Sequence, residues 1–120
     1  MSNLIDASEG ENKEFAVASI SDVTIYIDNT ANTSANDTAT EKYFDTQLNS
    51  VTPGAFTRAR AFFLWADQTI KIVSMNGKEF TDPITVTINK GISENFDYPL
   101  LRQMKIRTTV ADTNVKLRVK

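Results

Sequence analysis

The acidic side chains of the second half of the chain could do chemistry most directly, because paired carboxylates can transfer protons. They are Asp67, Glu79, Asp82, Glu94, Asp97 and Asp112. Each lies at or near a predicted turn, where acids end strands and bond to the local backbone. Glycoside hydrolysis would need two of them about 5–9 Å apart across a groove. Their spacing scatters them instead, so the sequence predicts no catalytic site.

Metal and nucleophile chemistry lacks its usual residues. The 120-residue chain contains no histidine and no cysteine. These absences remove the commonest general base, the commonest metal ligand and any thiolate. Asp112-Thr113-Asn114 and Asn36-Asp37 supply oxygen ligands, but neither has the spacing of a calcium loop. We therefore expect no metal, no cofactor and no enzyme activity.

Aromatic side chains offer binding chemistry, because their faces can stack on sugar rings. The candidates are Tyr26, Trp65, Phe96 and Tyr98. In β domains aromatic residues usually belong to the core, since each buries a large area. A carbohydrate- or receptor-binding module would place Trp65, Tyr26 or Tyr98 on an exposed sheet or loop. An assembly protein would bury Trp65 in its core or in an interface.

The strands that must position these residues are clearest near the carboxyl terminus. Apolar and polar residues alternate over residues 103–110 and again over residues 115–120. A side-chain period of two places one set on a buried face and the other on the surface. The predicted inner set is Met104, Ile106, Thr108, Val110, Val115, Leu117 and Val119. The pattern predicts a terminal β-hairpin, turning at residues 111–113, with one cationic outer stripe.

Strand character recurs along the rest of the chain. The segments are residues 21–28, 55–66, 68–74 and 84–89, and residues 92–98 form either a connection or a short edge strand. In the fourth, Ile84, Val86 and Ile88 are predicted to point to one face. Asn76-Gly77 predicts a tight type I′ hairpin, because both central residues need positive φ. Strands about ten residues apart predict an all-β, antiparallel, jelly-roll-like β-sandwich of six to eight strands.

The length suits one domain. We expect residues 20–120 to form a single β-sandwich domain with a polar excursion at residues 29–40, whose composition has little apolar area to offset the entropy of ordering. Residues 1–19 are polar and acidic, and we expect them to form a loose N-terminal arm.

Residues 55–66 combine arginines with consecutive apolar side chains. Such a run fits a strand buried on both sides or covered by a partner subunit. Arginine and aromatic residues are also enriched at interface centres. With the terminal cations added, the predicted interface residues are Arg58, Arg60, Phe62, Phe63, Trp65, Lys105, Arg107, Lys116 and Arg118.

Charge differs between the two parts of the chain. Residues 1–50 carry nine acids against two lysines, and residues 51–120 carry six acids against eleven lysines and arginines. Either an acidic segment of one copy lies on a cationic face of another, or the charges only solvate the outer strand faces. Nucleic acid is not an expected partner, because the aromatic residues do not interleave with the cations as a stacking platform requires. No apolar run approaches the ~20 residues of a membrane span, so no membrane partner is expected.

Two stretches carry a resemblance to a known family. They are FFLWADQTIKIVSMNGKEFTDPITVTINKG at residues 62–91 and MKIRTTVADTNVKLRVK at residues 104–120. Together they resemble the small β-sandwich virion structural proteins of tailed bacteriophages, over about half of the chain. The resemblance implies a structural role in the capsid or tail, with no catalytic residues. We therefore expect a virion structural protein that forms a symmetric homo-oligomer and contacts other virion proteins. Its location would be the virion, after synthesis in the host cytoplasm without a signal peptide.

Overall fold

The computed structural model describes residues 11–27, 34–44, 61–95 and 101–119. Within them the backbone forms one 3-10 turn, Ser34–Asn36, and nine strands. The strands are β1 (Glu11–Val17), β2 (Asp22–Tyr26), β3 (Glu41–Tyr43), β4 (Ala61–Ala66), β5 (Ile70–Met75), β6 (Lys78–Val86), β7 (Ile92–Asn95), β8 (Gln103–Thr108) and β9 (Thr113–Val119). Two sheets pack against each other around one core, which confirms the predicted all-β sandwich. The count of nine strands exceeds the predicted six to eight.

The two sheets differ in size. The four-stranded sheet has the order β1-β9-β4-β7, and the five-stranded sheet has the order β3-β2-β8-β5-β6. Every pair is antiparallel, as predicted, except β2 with β3. A parallel pair needs a crossover of a dozen or more residues. The fourteen residues between Tyr26 and Glu41 provide that length.

Strand pairing is nested along the chain. β5 pairs with β6, β4 with β7, β2 with β8, and β1 with β9. The chain is thus one long folded-back ribbon whose tip is the β5–β6 hairpin. Successive pairs of the ribbon fall alternately in the five-stranded and the four-stranded sheet. The β5–β8 and β4–β9 pairs join neighbouring turns of the ribbon within each sheet.

The last two strands do not form the predicted hairpin. β8 lies between β2 and β5 in one sheet, whereas β9 lies between β1 and β4 in the other. Residues 109–112 therefore cross from one sheet to the other instead of turning within one. The alternation predicted for both strands is confirmed through Thr108 and from Val115 to Val119, whose inner side chains are buried.

The N-terminal arm was predicted to be loose, but residues 11–17 form the edge strand β1. It pairs with β9 over its whole length, from Glu11 opposite Val119 to Val17 opposite Thr113. The inner face of β1 supplies Val17 to the core, with Phe15 packed against it. Residues 1–10 lie outside the described residues.

The tip hairpin is confirmed at Asn76-Gly77, which have φ values of 52° and 80°. The Asn76 side-chain oxygen accepts hydrogen bonds from the backbone N–H of Arg102 at 2.7 Å and of Gln103 at 3.2 Å. β6 continues through Pro83, although the sequence predicted a strand only from Ile84. An edge strand tolerates proline because the missing N–H would face away from the sheet.

The core consists of apolar side chains from both inner faces. Its fully buried members include Val23, Ile25, Phe62, Leu64, Ile70, Ile72, Val86, Met104, Ile106, Leu117 and Val119. Burying a side chain of this size contributes roughly 1.5–3 kcal/mol. Among the described residues, no helix has the length and apolarity that crossing a membrane requires.

Candidate functional site

Four of the predicted interface residues lie together on the outer face of the four-stranded sheet. The strand register places Phe63 opposite Arg118 and Trp65 opposite Lys116. All four side chains are half-buried. Side chains directly opposite on one face of an antiparallel pair are close enough to interact. The sequence therefore selected residues that the fold brings into two neighbouring aromatic and cationic pairs.

Of the other five predicted interface residues, the three that the structure describes lie elsewhere. Phe62 points into the core and is fully buried. Arg58 and Arg60 lie outside the described residues. Lys105 and Arg107 are on β8, so they face outward from the five-stranded sheet, on the opposite side of the sandwich. The prediction of one continuous cationic stripe is wrong, because β8 and β9 belong to different sheets.

The cations on β8 have partners within their own chain. Arg107 donates from Nε to Asp22 Oδ1 at 2.7 Å and from Nη2 to Asp22 Oδ2 at 3.1 Å. Lys105 Nζ lies 3.6 Å from a Glu79 carboxylate oxygen. The hydrogen bond from Arg107, reinforced by its charge, lowers the pKa of Asp22, and the same contact raises the pKa of Arg107. The charges of Lys105 and Arg107 are therefore offset by carboxylates of the same chain.

The surface around Trp65 is different, and we call it the Trp65 face. It comprises Asn12, Glu14 and Ala16 of β1, Phe63 and Trp65 of β4, and Asn114, Lys116 and Arg118 of β9. A depression of about 380 Å³ opens on it. Its lining residues are Glu14, Phe15, Ala16, Trp65, Asn114, Val115 and Lys116. Ala16 has only a methyl group where its neighbours have long side chains, which explains the recess.

One wall of the depression is held rigidly. Asn114 donates from its backbone N–H to Asp67 Oδ1 and from its side-chain Nδ2 to Asp67 Oδ2, both at 2.8 Å. In return, the Asp67 backbone N–H donates to the Asn114 carbonyl oxygen at 3.1 Å. The hydrogen bond from the Asn114 side chain lowers the pKa of Asp67, so the carboxylate stays charged at neutral pH. Asn114 therefore has a fixed orientation on the Trp65 face.

Four loops meet at one end of the sandwich, which we call the loop end. They are residues 18–21, 67–69, 87–91 and 109–112. Thr69 joins its own loop to two others, since its carbonyl accepts from Thr109 Oγ1 at 2.6 Å and its own Oγ1 accepts from the Ile88 N–H at 3.2 Å. Asp112 N–H donates to the Ala18 carbonyl at 3.2 Å and so attaches the fourth loop.

Large aliphatic side chains are exposed at the loop end. Ile20 is 65% exposed, Ile88 is 42% exposed and Val110 is 40% exposed. The described residues contain one further exposed side chain of this kind, Ile84 at 40%, on edge strand β6. Three of the four thus occur on adjoining loops.

The sequence analysis did not predict the loop end, because it extended the alternating strand pattern beyond the residues where the strands end. Val110 was predicted to face inward, and this is wrong, since β8 ends at Thr108. Ile88 was predicted to continue the strand of Ile84 and Val86, but β6 ends at Val86. Ile20 was assigned as the first residue of the domain, without a role. A signal was present in the turn residues Asn89 and Asp112, which have φ values of 58° and 57° and mark chain reversals.

Neither a cluster of acidic residues nor a similarity to a known protein identifies a function for this chain. In the described part of the chain, no group of three or more acidic residues is close enough to hold a metal ion. Comparison with known protein families, curated proteins and solved structures found no match. Function must therefore be argued from the Trp65 face, the loop end and the fold that positions them.

Proposed function

We propose that the chain is a virion structural protein that forms a symmetric homo-oligomer through its loop end. The observation that carries this proposal is the exposure of Ile20, Ile88 and Val110 on loops that are bonded to one another. Single exposed aliphatic residues are normal on soluble proteins, whereas a group of them marks an interaction surface.

The order of the strands supports a jelly roll. A ribbon that pairs β1 with β9, β2 with β8, β4 with β7 and β5 with β6, and alternates between two sheets, has the connectivity of that fold, with β3 as an addition at one edge. Jelly rolls occur in viral capsids and in lectins. This agrees with the resemblance of residues 62–91 and 104–120 to phage virion proteins.

The hydrogen bonds between loops favour binding for an entropic reason. A docking surface loses less conformational freedom when its loops are already fixed. The Thr108 side chain illustrates this, because Oγ1 donates to the Ser19 carbonyl at 3.0 Å and accepts from the Ser21 N–H at 2.9 Å. Ile20 lies between these two residues and is therefore presented on a fixed turn.

Self-association by this surface has a distinct dependence on salt. Burial of aliphatic side chains is not screened by ions, whereas contacts between exposed charges weaken as salt rises. We therefore expect the oligomer to persist from low to high salt. The charges on β8 contribute little, because Lys105 and Arg107 already have carboxylate partners in their own chain.

Sedimentation velocity from low to high micromolar concentration, at low and at high salt, tests the proposal. Ile88→Ser should shift the oligomer toward monomer by about tenfold or more in dissociation constant, since it removes a buried aliphatic contact. Ile84→Ser is the matched control, because Ile84 has nearly the same exposure but lies on β6. A monomeric wild type at every condition, or equal effects of the two variants, would overturn self-assembly by the loop end.

Detection of the chain in purified particles by mass spectrometry tests its place in the virion.

A further inference from the structure

Trp65 occupies an unusual position for the largest side chain of the protein. It lies on β4, an inner strand of the four-stranded sheet, and its side chain points outward and is half-buried. The indole has no hydrogen bond to any described residue. A large apolar ring at the centre of a solvent-facing sheet is informative, because such positions usually carry polar residues.

The depression beside Trp65 has the size of a small-molecule site. Its volume of about 380 Å³ lies within the range of roughly 300–1,000 Å³ that is typical of ligand pockets. Trp65 forms an apolar wall, and Ala16 leaves open space over β1. A flat, amphipathic ligand can therefore lay one face on the indole.

Polar groups surround the apolar wall. Glu14 and Lys116 face each other across the β1–β9 pair, one as hydrogen-bond acceptor and the other as donor. Asn114 stands one step further along β9, fixed by Asp67. Glu14 also accepts from Asn12 Nδ2 at 3.1 Å, which restrains its carboxylate. Arg118 lies on the Trp65 face but does not line the depression. Within the lining, the charges of Glu14 and Lys116 offset each other, which favours a neutral ligand over a phosphate or a polyanion.

We propose that the Trp65 face binds a neutral carbohydrate, with one sugar ring stacked on Trp65 and its hydroxyls bonded by Glu14, Asn114 and Lys116. A pyranose ring has an apolar face of C–H groups and a rim of hydroxyls that both donate and accept. The Trp65 face matches both features. The Trp65 face is a different surface from the loop end, and the two adjoin where Asp67 holds Asn114. The inference therefore goes beyond the proposed assembly role.

The experiment uses the single tryptophan of the chain as its own reporter. The wild-type protein is titrated with cellotetraose, maltotetraose and tetra-N-acetylchitotetraose, which are all neutral, and its fluorescence is recorded. Because Trp65 lies in the proposed site, we expect a saturable change with at least one of the three, and binding of the same sugar class on a glycan array. No response in the titrations and no array binding would overturn the proposal.

Two variants locate the site by calorimetry. Trp65→Ala should weaken binding by about tenfold or more, the scale of losing one stacked ring. Lys116→Met should weaken it as well, whereas Lys105→Met, a half-buried outward lysine on the other sheet, should leave it unchanged. Binding that survives Trp65→Ala, or that falls equally in both lysine variants, would refute the assignment. Far-UV circular dichroism confirms that each variant is folded.

The two proposals fail independently of each other. Ile88→Ser should keep sugar binding while losing association, and Trp65→Ala should keep association while losing sugar binding. Sugar binding that disappears together with the oligomer in Ile88→Ser would show that the site requires assembly, and would refute the site as formed by a single chain.

Discussion

Asp37 and Lys13 form an ion pair that joins the two sheets. We expect substitution of Asp37 to destabilise the protein much more than substitution of Lys13. Lys13 lies on the inner face of β1, and its Nζ contacts Asp37 Oδ2 and, at 3.4 Å, Ser34 Oγ. The other Asp37 oxygen accepts from the backbone N–H of Tyr43 in β3 at 2.8 Å. The pair therefore ties the edge of the four-stranded sheet to the edge of the five-stranded sheet.

The expected cost follows from the burial of each partner. The Lys13 side chain is 11% exposed and the Asp37 side chain is 24% exposed. Removing one member of a fully buried pair costs about 3–5 kcal/mol, because the other charge is left without compensation. Asp37→Asn leaves Lys13 charged in its buried site but keeps an acceptor for Tyr43, so we expect a loss of about 2–3 kcal/mol.

The reverse change should be much milder. Lys13→Met keeps most of the buried volume as apolar surface, and the remaining Asp37 carboxylate can be hydrated because a quarter of it is exposed. We expect a loss of at most about 1 kcal/mol, since an ion pair replaced by apolar groups is often nearly neutral. The double variant Lys13→Met/Asp37→Asn should be no less stable than Lys13→Met alone.

Urea denaturation followed by far-UV circular dichroism measures all three variants. The double-mutant cycle gives the coupling between the two residues directly. If Asp37→Asn changes the unfolding free energy by less than about 0.5 kcal/mol, or if Lys13→Met is the more damaging change, the reasoning from burial and uncompensated charge is refuted.

Two further predictions concern pH and backbone strain. Because Arg107 lowers the pKa of Asp22, this carboxylate contributes stability that is present above its unfolded pKa of about 3.9 and is lost as pH falls through the lower folded value. Urea midpoints measured at stepwise lower pH should therefore fall less steeply below about pH 4 in Asp22→Asn than in wild type, and parallel curves would contradict the linkage. Gly91→Ala should destabilise by about 1–3 kcal/mol in thermal unfolding, because φ is +70° and the new Cβ would lie 2.8 Å from the Phe63 ring. Gly77→Ala has a similar φ of +80° but a nearest contact of 3.3 Å, so an equal loss there would contradict the role of the Phe63 contact.

Local alternation was readable from the sequence, whereas strand partnership was not. The inner positions of β8 and β9 were predicted correctly up to Thr108 and from Val115 onward. The error lay in joining the two strands as a hairpin. A strand that pairs with its neighbour and a strand that faces it across the core both need one apolar face, so the same pattern fits both arrangements.

For the candidate sites, too, the sequence predicted local strand features but not which strands lie side by side. The consecutive apolar residues around Phe63 and Trp65 predicted a strand buried on both sides or covered by a partner subunit. The register excludes the first alternative, because Phe62, Leu64 and Ala66 point into the core whereas Phe63 and Trp65 point outward. Ala16 lies in the predicted arm, so nothing in the sequence placed it beside Trp65. The recess depends on strands β1, β4 and β9, which are separated in sequence by dozens of residues. Only tertiary pairing brings them together.

The two proposed surfaces suit a protein present in many copies. The loop end is at one end of the sandwich, whereas the Trp65 face is the outer face of a sheet that adjoins this end at Asn114. Both proposals together require an association that covers Ile20, Ile88 and Val110 and leaves Trp65 accessible. A shallow site with one stacking ring and a few hydroxyl contacts binds weakly, because a small ligand offers few atoms for contact. Display on a symmetric assembly compensates, since linked sites gain about 10²–10⁴-fold in avidity without any new contact. Weak sugar binding at each Trp65 is therefore compatible with firm attachment by the whole assembly.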